Sequence, residues 1–170
     1  MIGDGRPGTA RRLELPATFV DRGRIAGTMI PPFRSDGYLP EGLHVGSGAE
    51  ITFRFGSSTP RRCRLALRLR RWIDLVRRVA ALRLLIDGSF VTDKHEPNDI
   101  DAVILLPNNF QRQIDAGVEA ALELEQMLLT RNPEELFAAE DETDWNEWVE
   151  FFGRTREADG RRKGIVEVEL

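Results

Sequence analysis

Two short apolar runs joined by a polar loop constrain the fold of this chain more than any other feature. They occupy residues 84–107, with the sequence LLIDGSFVTDKHEPNDIDAVILLP. Short apolar runs bounded by Gly, Pro and Asp are typical of strands, so we predict one strand at 83–87 and a second, DIDAVILL, with its apolar part at 102–106. The second run is apolar throughout, and we therefore expect it to be buried on both faces as a central strand of a sheet.

The rest of the chain alternates helical and extended patterns. Apolar residues recur at helical spacing over 60–82, behind Pro60 at a first-turn position, and again over 110–130. TDWNEWVEFFG predicts another helix, with Thr143 as its N-cap. Strands are expected around 136–139 and in the final KGIVEVEL. The segment AEITFRFG fits either a short strand or a helical turn.

The N-terminal part differs in composition from the rest of the chain. Residues 1–28 are rich in Gly and Arg, and we predict that they form a flexible extension. They contain a G-x-G-x-x-G pattern, but no strand precedes it and no helix pattern comes after it, so we reject a dinucleotide site. Residues 29–170 are long enough for one domain with a core, which opens with a Pro- and Gly-rich extended segment over 30–48.

Composition narrows the possible functions. The single cysteine, Cys63, excludes an intrachain disulfide and a cysteine-based zinc cluster, and it fits a reducing cytoplasm. No apolar run reaches the roughly 18 residues needed to span a membrane. The net charge of −4 argues against nucleic acid as a partner. One stripe of arginines along the first helix keeps an acidic or phosphate-bearing partner open: Arg61, Arg64, Arg68, Arg71 and Arg78.

The loop between the two strands carries the residues that suggest chemistry. Asp99 and Asp101 are two positions apart, so on a strand both would point to the same face. Two adjacent carboxylates repel each other, and a divalent cation with a preference for oxygen ligands, such as Mg²⁺, removes that conflict. Gly88 lets a polyanion approach the backbone closely, and Ser89 adds a hydroxyl donor, so the turn suits a phosphate group. Either feature alone is common at strand ends.

In this order and spacing, the two features resemble the polymerase-beta-like nucleotidyltransferase superfamily, and in particular its small bacterial members of the minimal nucleotidyltransferase type. The resemblance is closest over 86–106 and extends over about 29–170. It implies an α+β fold with a mixed sheet flanked by helices. It also implies Mg²⁺-dependent transfer of a nucleoside monophosphate from a nucleoside triphosphate to a hydroxyl, with release of pyrophosphate.

The same resemblance implies roles for individual residues. Gly88 and Ser89 would hold the triphosphate, and Asp99 and Asp101 would bind two Mg²⁺ ions. A third carboxylate on a neighbouring strand would complete the site as a base or shared metal ligand. We expect Glu135 in that role, although the superfamily usually has Asp there. Other acids remain candidates for the same position: Glu134, Glu140, Glu167 and Glu169.

Other side chains could contribute to the site. Thr92 and Lys94 in the loop could contact phosphates, although Lys94 is equally well explained as a surface lysine. His95 could touch a nucleotide, but an exposed loop histidine is the simpler interpretation. Trp145 and Trp148 could stack on a base, but their helical spacing and apolar neighbours favour a core or interface position.

These residues support three functional hypotheses. In the first, the protein is an enzyme, and its small size favours an acceptor supplied by a separate protein, as when small superfamily members act as antitoxins that modify a partner toxin. In the second, it is a catalytically inactive nucleotidyltransferase-like module that binds a nucleotide or a partner protein. In the third, it binds nucleic acid through its arginines, which its acidity disfavours.

Overall fold

A five-stranded mixed sheet forms the centre of the computed structural model, which describes residues 30–130 and 135–170. The strand order is β1-β5-β2-β3-β4. The central strand β2 lies antiparallel to β3 and β5, whereas β1 runs parallel to β5 and β4 runs parallel to β3. The strands are β1 (Gly42–Ser47), β2 (Arg83–Asp87), β3 (Asp101–Leu105), β4 (Leu136–Ala139) and β5 (Gly164–Glu169).

Helices flank the sheet on both sides, so the predicted α+β class with a mixed sheet is confirmed. The α-helices of the described residues are α1 (Gly48–Gly56), α2 (Pro60–Arg78), α3 (Phe110–Asp115), α4 (Glu119–Thr130) and α5 (Glu142–Phe152). A 3-10 turn comes after β2 at Ser89–Val91. Across these two ranges, none of the helices combines the length and the apolar character that a membrane span requires.

Alternation along the strands divides the apolar residues between two cores. One face of the sheet, which we call the covered face, packs against α1, α2 and α4; its strand residues are Leu84, Ile86, Ala102, Ile104, Leu136, Val166 and Val168. The other, which we call the open face, packs against α5, the one helix of the described residues on this side; its strand residues are Leu85, Val103, Leu105, Ala139 and Ile165. Within the described ranges, the open face therefore has one helix to cover five strands.

Several predicted boundaries are wrong, each for a local reason. The predicted helix over 110–130 is two helices, because Gly117 adopts φ 71° and ends the first of them. Helix α5 begins at Glu142 and is capped by Asp141, whose side chain accepts hydrogen bonds from the backbone of Thr143 and Asp144, so Thr143 is not the N-cap. Helix α2 ends at Arg78 rather than near residue 82.

The N-terminal segment holds an element that the sequence did not reveal. Residues 42–47 form the edge strand β1 within the stretch predicted as extended with turns. The segment AEITFRFG, which fitted two interpretations, is helix α1, capped by the Ser47 side chain. The predicted strand at 136–139 is confirmed, and so is the strand in the final segment. The extension predicted for 1–28 lies outside the described residues.

Candidate active site

Two aspartates face each other across the end of the central strand pair. Asp87 is the last residue of β2, Asp101 is the first residue of β3, and the antiparallel register pairs them directly. Both lie on the open face, because Leu85 and Val103 on the same strands point there. They are 5% and 6% exposed. The strand pair thus places two carboxylates side by side in a nearly buried position.

The turn between these strands is pressed against the start of β3. Gly88 has φ 83°, a conformation that favours glycine. A Cβ atom at this position would lie 3.0 Å from the backbone nitrogen of Asp101 and 3.1 Å from the backbone oxygen of Asp99. Glycine is therefore required here both by backbone conformation and by the close approach of two chain segments.

Asp99 is fixed to the turn by hydrogen bonds. Its carboxylate accepts a 2.8 Å bond from the backbone nitrogen of Ser89 and a 2.5 Å bond from the Ser89 hydroxyl. Burial opposes ionisation, but these two bonds, with the positive charges of Arg156 and Lys94, hold the pKa of Asp99 below its usual value. The prediction that Asp99 and Asp101 share one strand is wrong: β3 begins at Asp101, and Asp99 belongs to the preceding loop.

Asp101 has a strongly perturbed ionisation. Burial raises the pKa of Asp101 to about 7, and the negative charges of Asp99, Asp87 and Glu135 add to that rise, while the positive charge of Arg156 opposes it. No hydrogen bond to the Asp101 carboxylate occurs among the residues that the structure describes. The group therefore lies in a buried and mainly negative environment.

Asp87 and Lys163 form a buried ion pair beside Asp101. The Lys163 ammonium, at the residue before β5, donates to the Asp87 carboxylate, and both side chains are less than 10% exposed. Burial raises the pKa of Asp87, and the charge of Lys163 opposes that rise. Sequence reasoning missed both residues. The one available signal was the position of Asp87 directly before the Gly-Ser turn, since Lys163 is 76 residues away.

A cleft of about 640 Å³ lies over this cluster. The Gly88-Ser89 turn, Asp87, Asp99 and Asp101 line it. Its lining also includes the segment from Arg154 to Glu157, Lys163 and residues 36–38. Thr155 is 8% exposed, and its buried hydroxyl has no hydrogen-bond partner among the described residues, an arrangement that costs free energy.

The predicted loop residues Thr92 and Lys94 also line the cleft. The Thr92 hydroxyl donates a 2.7 Å bond to the backbone oxygen of Ser89, so it stabilises the turn. Lys94 contributes positive charge near Asp99. His95 is 85% exposed at its side chain and is absent from the cleft lining, in agreement with the simpler interpretation of that residue.

Two arginines of helix α2 hold this loop in place. The buried Arg62 guanidinium donates hydrogen bonds of 2.6–2.9 Å to four backbone oxygens, which belong to Phe55, Phe90, Thr92 and Lys94. Arg61 donates to the backbone oxygens of Pro97 and Asn98. Part of the predicted arginine surface therefore has a structural role. Further along it, Arg71 is paired with Glu123, and Arg78 lies near two acids.

Glu135 lies at the entrance to β4, next to Asp101. Its backbone oxygen accepts a 3.0 Å bond from the nitrogen of Ala102, and its charge contributes to the raised pKa of Asp101. Glu135 also has φ 43°, which is uncommon for a residue with a side chain and frequent at functional sites. Among the candidates for a third carboxylate, Glu135 is thus brought to the cluster, and its role stays a prediction.

The other candidates lie elsewhere or outside the described residues. Glu134 is outside them. Glu140 comes after β4, at its far end. Because β5 runs antiparallel to β2, Glu167 and Glu169 lie towards the opposite end of the sheet from Asp87. Glu167 makes two 2.7 Å hydrogen bonds with Arg83 there.

The two tryptophans have different positions. Trp145 is fully buried in the core of the open face, and the Arg83 guanidinium lies 4.5 Å from the centre of its ring. Trp148 is half-buried and lines a second pocket next to Asp101. The preference for a core position therefore describes Trp145 well and Trp148 only in part.

The donor set of the cluster fits a magnesium ion in its chemistry. Asp99, Asp101 and Glu135 supply only oxygen ligands, and the raised pKa of Asp101 reflects burial first and then neighbouring negative charges, which a cation would neutralise. In the described part of the chain, no three His, Cys, Asp or Glu side chains are grouped closely enough to hold a metal ion as they stand. Phosphate oxygens of a nucleotide would be the natural further ligands.

Fold and site together define a class of protein: an α+β domain with an acidic cluster and a Gly-Ser turn at one end of a mixed sheet, facing a cleft. Residues 31–169 match the Family of unknown function (DUF6932), and because this range covers most of the chain, the protein belongs to that family. No curated protein and no solved structure matches the chain.

Proposed function

We propose that this protein is a Mg²⁺-dependent nucleotidyltransferase that moves a nucleoside monophosphate from a nucleoside triphosphate to an acceptor hydroxyl. The observation that carries the proposal is the convergence of Asp99 and Asp101 on the Gly88-Ser89 turn at the floor of a cleft. It is supported by Glu135, which lies on the neighbouring strand beside Asp101.

The charges around the cleft suit a nucleotide and its metal ions. Asp99, Asp101 and Glu135 would hold the ions, which would supply Lewis-acid stabilisation of charge on the transferring phosphoryl group. Lys94, Arg156 and Lys163 line the cleft and would attract phosphates.

The proposed reaction is a substitution at the α-phosphorus. A bond forms between the acceptor oxygen and the α-phosphorus, while the bond from that phosphorus to the oxygen bridging to the β-phosphate breaks. Pyrophosphate leaves with the electron pair of the broken bond. The acceptor hydroxyl loses its proton to a carboxylate of the cluster, for which Asp101 and Glu135 are the candidates because Asp101 lines both the cleft and the second pocket and Glu135 lines the second pocket beside it.

The test is transfer of label from each of the four α-labelled nucleoside triphosphates to protein acceptors in a cell extract, with Mg²⁺ or with a chelator. Pyrophosphate release is measured in parallel. Asp99→Asn/Asp101→Asn should lower transfer at least about 1000-fold, as expected when charge stabilisation at the reacting phosphate is lost. Asp74→Asn on the exposed side of α2 is the matched control and should retain full activity.

The acceptor and setting belong to the same proposal. A partner protein is the favoured acceptor because a domain of this size leaves little room for separate acceptor recognition, and a toxin–antitoxin or defence pair would supply such a partner. A cytoplasmic location would provide the nucleotide and keep Cys63 reduced. An extract from cells that carry the neighbouring genes would contain that acceptor.

A second candidate function is a catalytically inactive module that binds a nucleotide or a partner protein. It is favoured by two contacts that occupy the carboxylates internally, namely Asp87 with Lys163 and Asp99 with Ser89. Calorimetric titration with nucleoside triphosphates distinguishes the two candidates. Binding that depends on Asp101 without any transfer would favour the inactive module, whereas absence of both would contradict the transferase and the nucleotide-binding form of the module.

A further inference from the structure

A second pocket of about 470 Å³ adjoins the acidic cluster on the side of α5. It shares Asp101, Phe151, Phe152 and Arg156 with the cleft, but the Gly-Ser turn and the lysines do not line it. An acceptor bound there would lie against Asp101 in a pocket that the Gly-Ser turn does not line. The chemistry of this pocket therefore indicates what kind of acceptor the site takes.

Aromatic rings form the wall of this pocket. The centre of the Trp148 ring lies 4.8 Å from that of Phe137, 5.5 Å from that of Phe152 and 6.0 Å from that of Phe151. Phe152 is buried, but Phe151 is 66% exposed. Large exposed aromatic side chains next to a concave surface are typical of binding sites rather than of a solvated surface.

Acidic side chains surround the rings. Of the described residues that line the pocket, four are acidic and one, Arg156, is basic. Glu135, Asp144 and Glu147 come from two different elements, the entrance to β4 and helix α5. Because the triphosphate is a polyanion, this excess of carboxylates disfavours it here and favours a cation. Aromatic faces with nearby carboxylates are a suitable environment for an ammonium or guanidinium group.

We infer that this pocket binds a basic, hydroxyl-bearing peptide segment, with a Lys or Arg side chain over Trp148 and Phe151 and a neighbouring Ser, Thr or Tyr hydroxyl directed to Asp101. A peptide is favoured over a small amine because Phe151 also lines a shallow depression further along α5, bordered by Asn146 and Glu150, so the surface continues beyond the pocket. This inference deepens the proposed transferase function and rests on it for the role of the hydroxyl.

The test measures binding without nucleotide or Mg²⁺, so that it does not depend on activity. Two fluorescent peptides of equal length carry the same Ser, Thr and Tyr, flanked by Arg and Lys in one and by Glu in the other. The basic peptide should bind the full chain at least tenfold more tightly than the acidic one. Glu147→Arg should weaken its binding about tenfold, and Phe151→Ala about fivefold.

Matched controls separate pocket binding from general attraction to an acidic protein. Glu125→Arg makes the same charge change on α4, and Phe53→Ala removes an exposed ring on α1; each should change the affinity less than twofold. If Glu147→Arg and Glu125→Arg lowered the affinity for the basic peptide equally, the inference would be overturned. It would also be overturned if the two peptides bound with equal affinity. Spermidine tests a small amine as the occupant: if it displaced the basic peptide at concentrations well below the dissociation constant of that peptide, the inference would be overturned as well.

A second step distinguishes this inference from the proposed function. Both peptides are offered as acceptors for labelled nucleotide with Mg²⁺. If the basic peptide binds in a Glu147-dependent manner but receives no label, the pocket assignment holds and the transferase proposal fails. If label moves to another acceptor while the basic peptide does not bind, the transferase proposal holds and the pocket assignment is overturned.

Discussion

The covered and open faces of the sheet differ in how completely helices protect them. On the covered face, α1, α2 and α4 bury the strand residues in one continuous apolar core. On the open face, α5 buries a smaller core around Trp145 and leaves the Asp87 and Asp101 end exposed to the cleft and the second pocket. The same strands thus supply stability through one face and reactive groups through the other.

This difference explains how the domain tolerates a cluster of carboxylates. Burying a charge without a partner is costly, so a protein places such groups where a ligand can neutralise them. Asp87 and Asp101 occupy positions of β2 and β3 that would hold apolar residues if another helix covered them. The contrast between the faces can be tested by substitutions on each of them.

Arg62 is the exception on the covered side, because it is a buried cation that reaches from α2 to the site loop. Arg62→Met should lower the free energy of unfolding by about 4 kcal/mol, since several backbone oxygens lose a charged donor and those of Phe55 and Phe90 are left without a partner in the interior. Urea denaturation measures the loss. Arg64→Met, on the exposed side of the same helix, should change stability by less than about 0.5 kcal/mol.

A leucine pair on α2 tests the covered core itself. Leu69→Ala should lower the free energy of unfolding by about 3 kcal/mol, because Leu69 is fully buried and its removal leaves a cavity. Leu67→Ala, on a side chain that is 63% exposed, should cost less than about 1 kcal/mol. Thermal unfolding of the two variants gives the comparison. Equal losses would show that the covered face is not the principal core.

Because of Asp101 on the open face, the free energy of unfolding of the protein should fall as pH rises. Because the pKa of folded Asp101 is raised to about 7 from 3.8, the folded state binds more protons than the unfolded state between about pH 4 and pH 7. Stability from this group is thus present below pH 4 and lost as pH approaches 7. Asp101→Asn should be more stable than the wild type by about 1 kcal/mol at pH 8, a value reduced by solvent in the cleft, and of similar stability at pH 4.

Urea denaturation at both pH values gives that difference, with Asp74→Asn as the exposed control. Saturating Mg²⁺ at pH 8 should stabilise the wild type and have a smaller effect on Asp101→Asn. The difference in free energy of unfolding between the wild type and Asp101→Asn should therefore depend on pH. An equal difference at pH 4 and pH 8 would contradict the proposed crowding of negative charge around Asp101.

The smallest expected change in stability comes from relieving backbone strain at two residues. Among the described non-glycine residues, Ala80 and Glu135 have positive φ, and one is associated with each face. Ala80→Gly, just after α2, should raise the free energy of unfolding by about 0.5 kcal/mol because glycine adopts φ 56° without steric cost. Glu135→Gly should relieve the strain at φ 43° to a similar extent. Only Glu135→Gly should reduce nucleotide transfer. Full transfer by that variant would exclude Glu135 as the third carboxylate.

Much of the framework could be predicted from local patterns. The bounds of β2, the presence of β3 and the position of α2 are evident from short apolar runs and from helical spacing behind a proline. The grouping of the turn with Asp99 and Asp101 was recognisable because all four residues lie within 14 positions of one another. Local signals failed where a single residue ends an element, as Gly117 does between α3 and α4.

The sequence by itself determined which side chains share a face within a strand, because alternation is a property of the local backbone. Only the tertiary structure decided which groups complete the site. Lys163 reaches Asp87 because β5 inserts beside β2, and the segment after α5 lines the same cleft as the turn although the two lie more than 60 residues apart in the chain. These contacts depend on strand order and on the number of helices covering each face, which arise from packing between residues far apart in the chain.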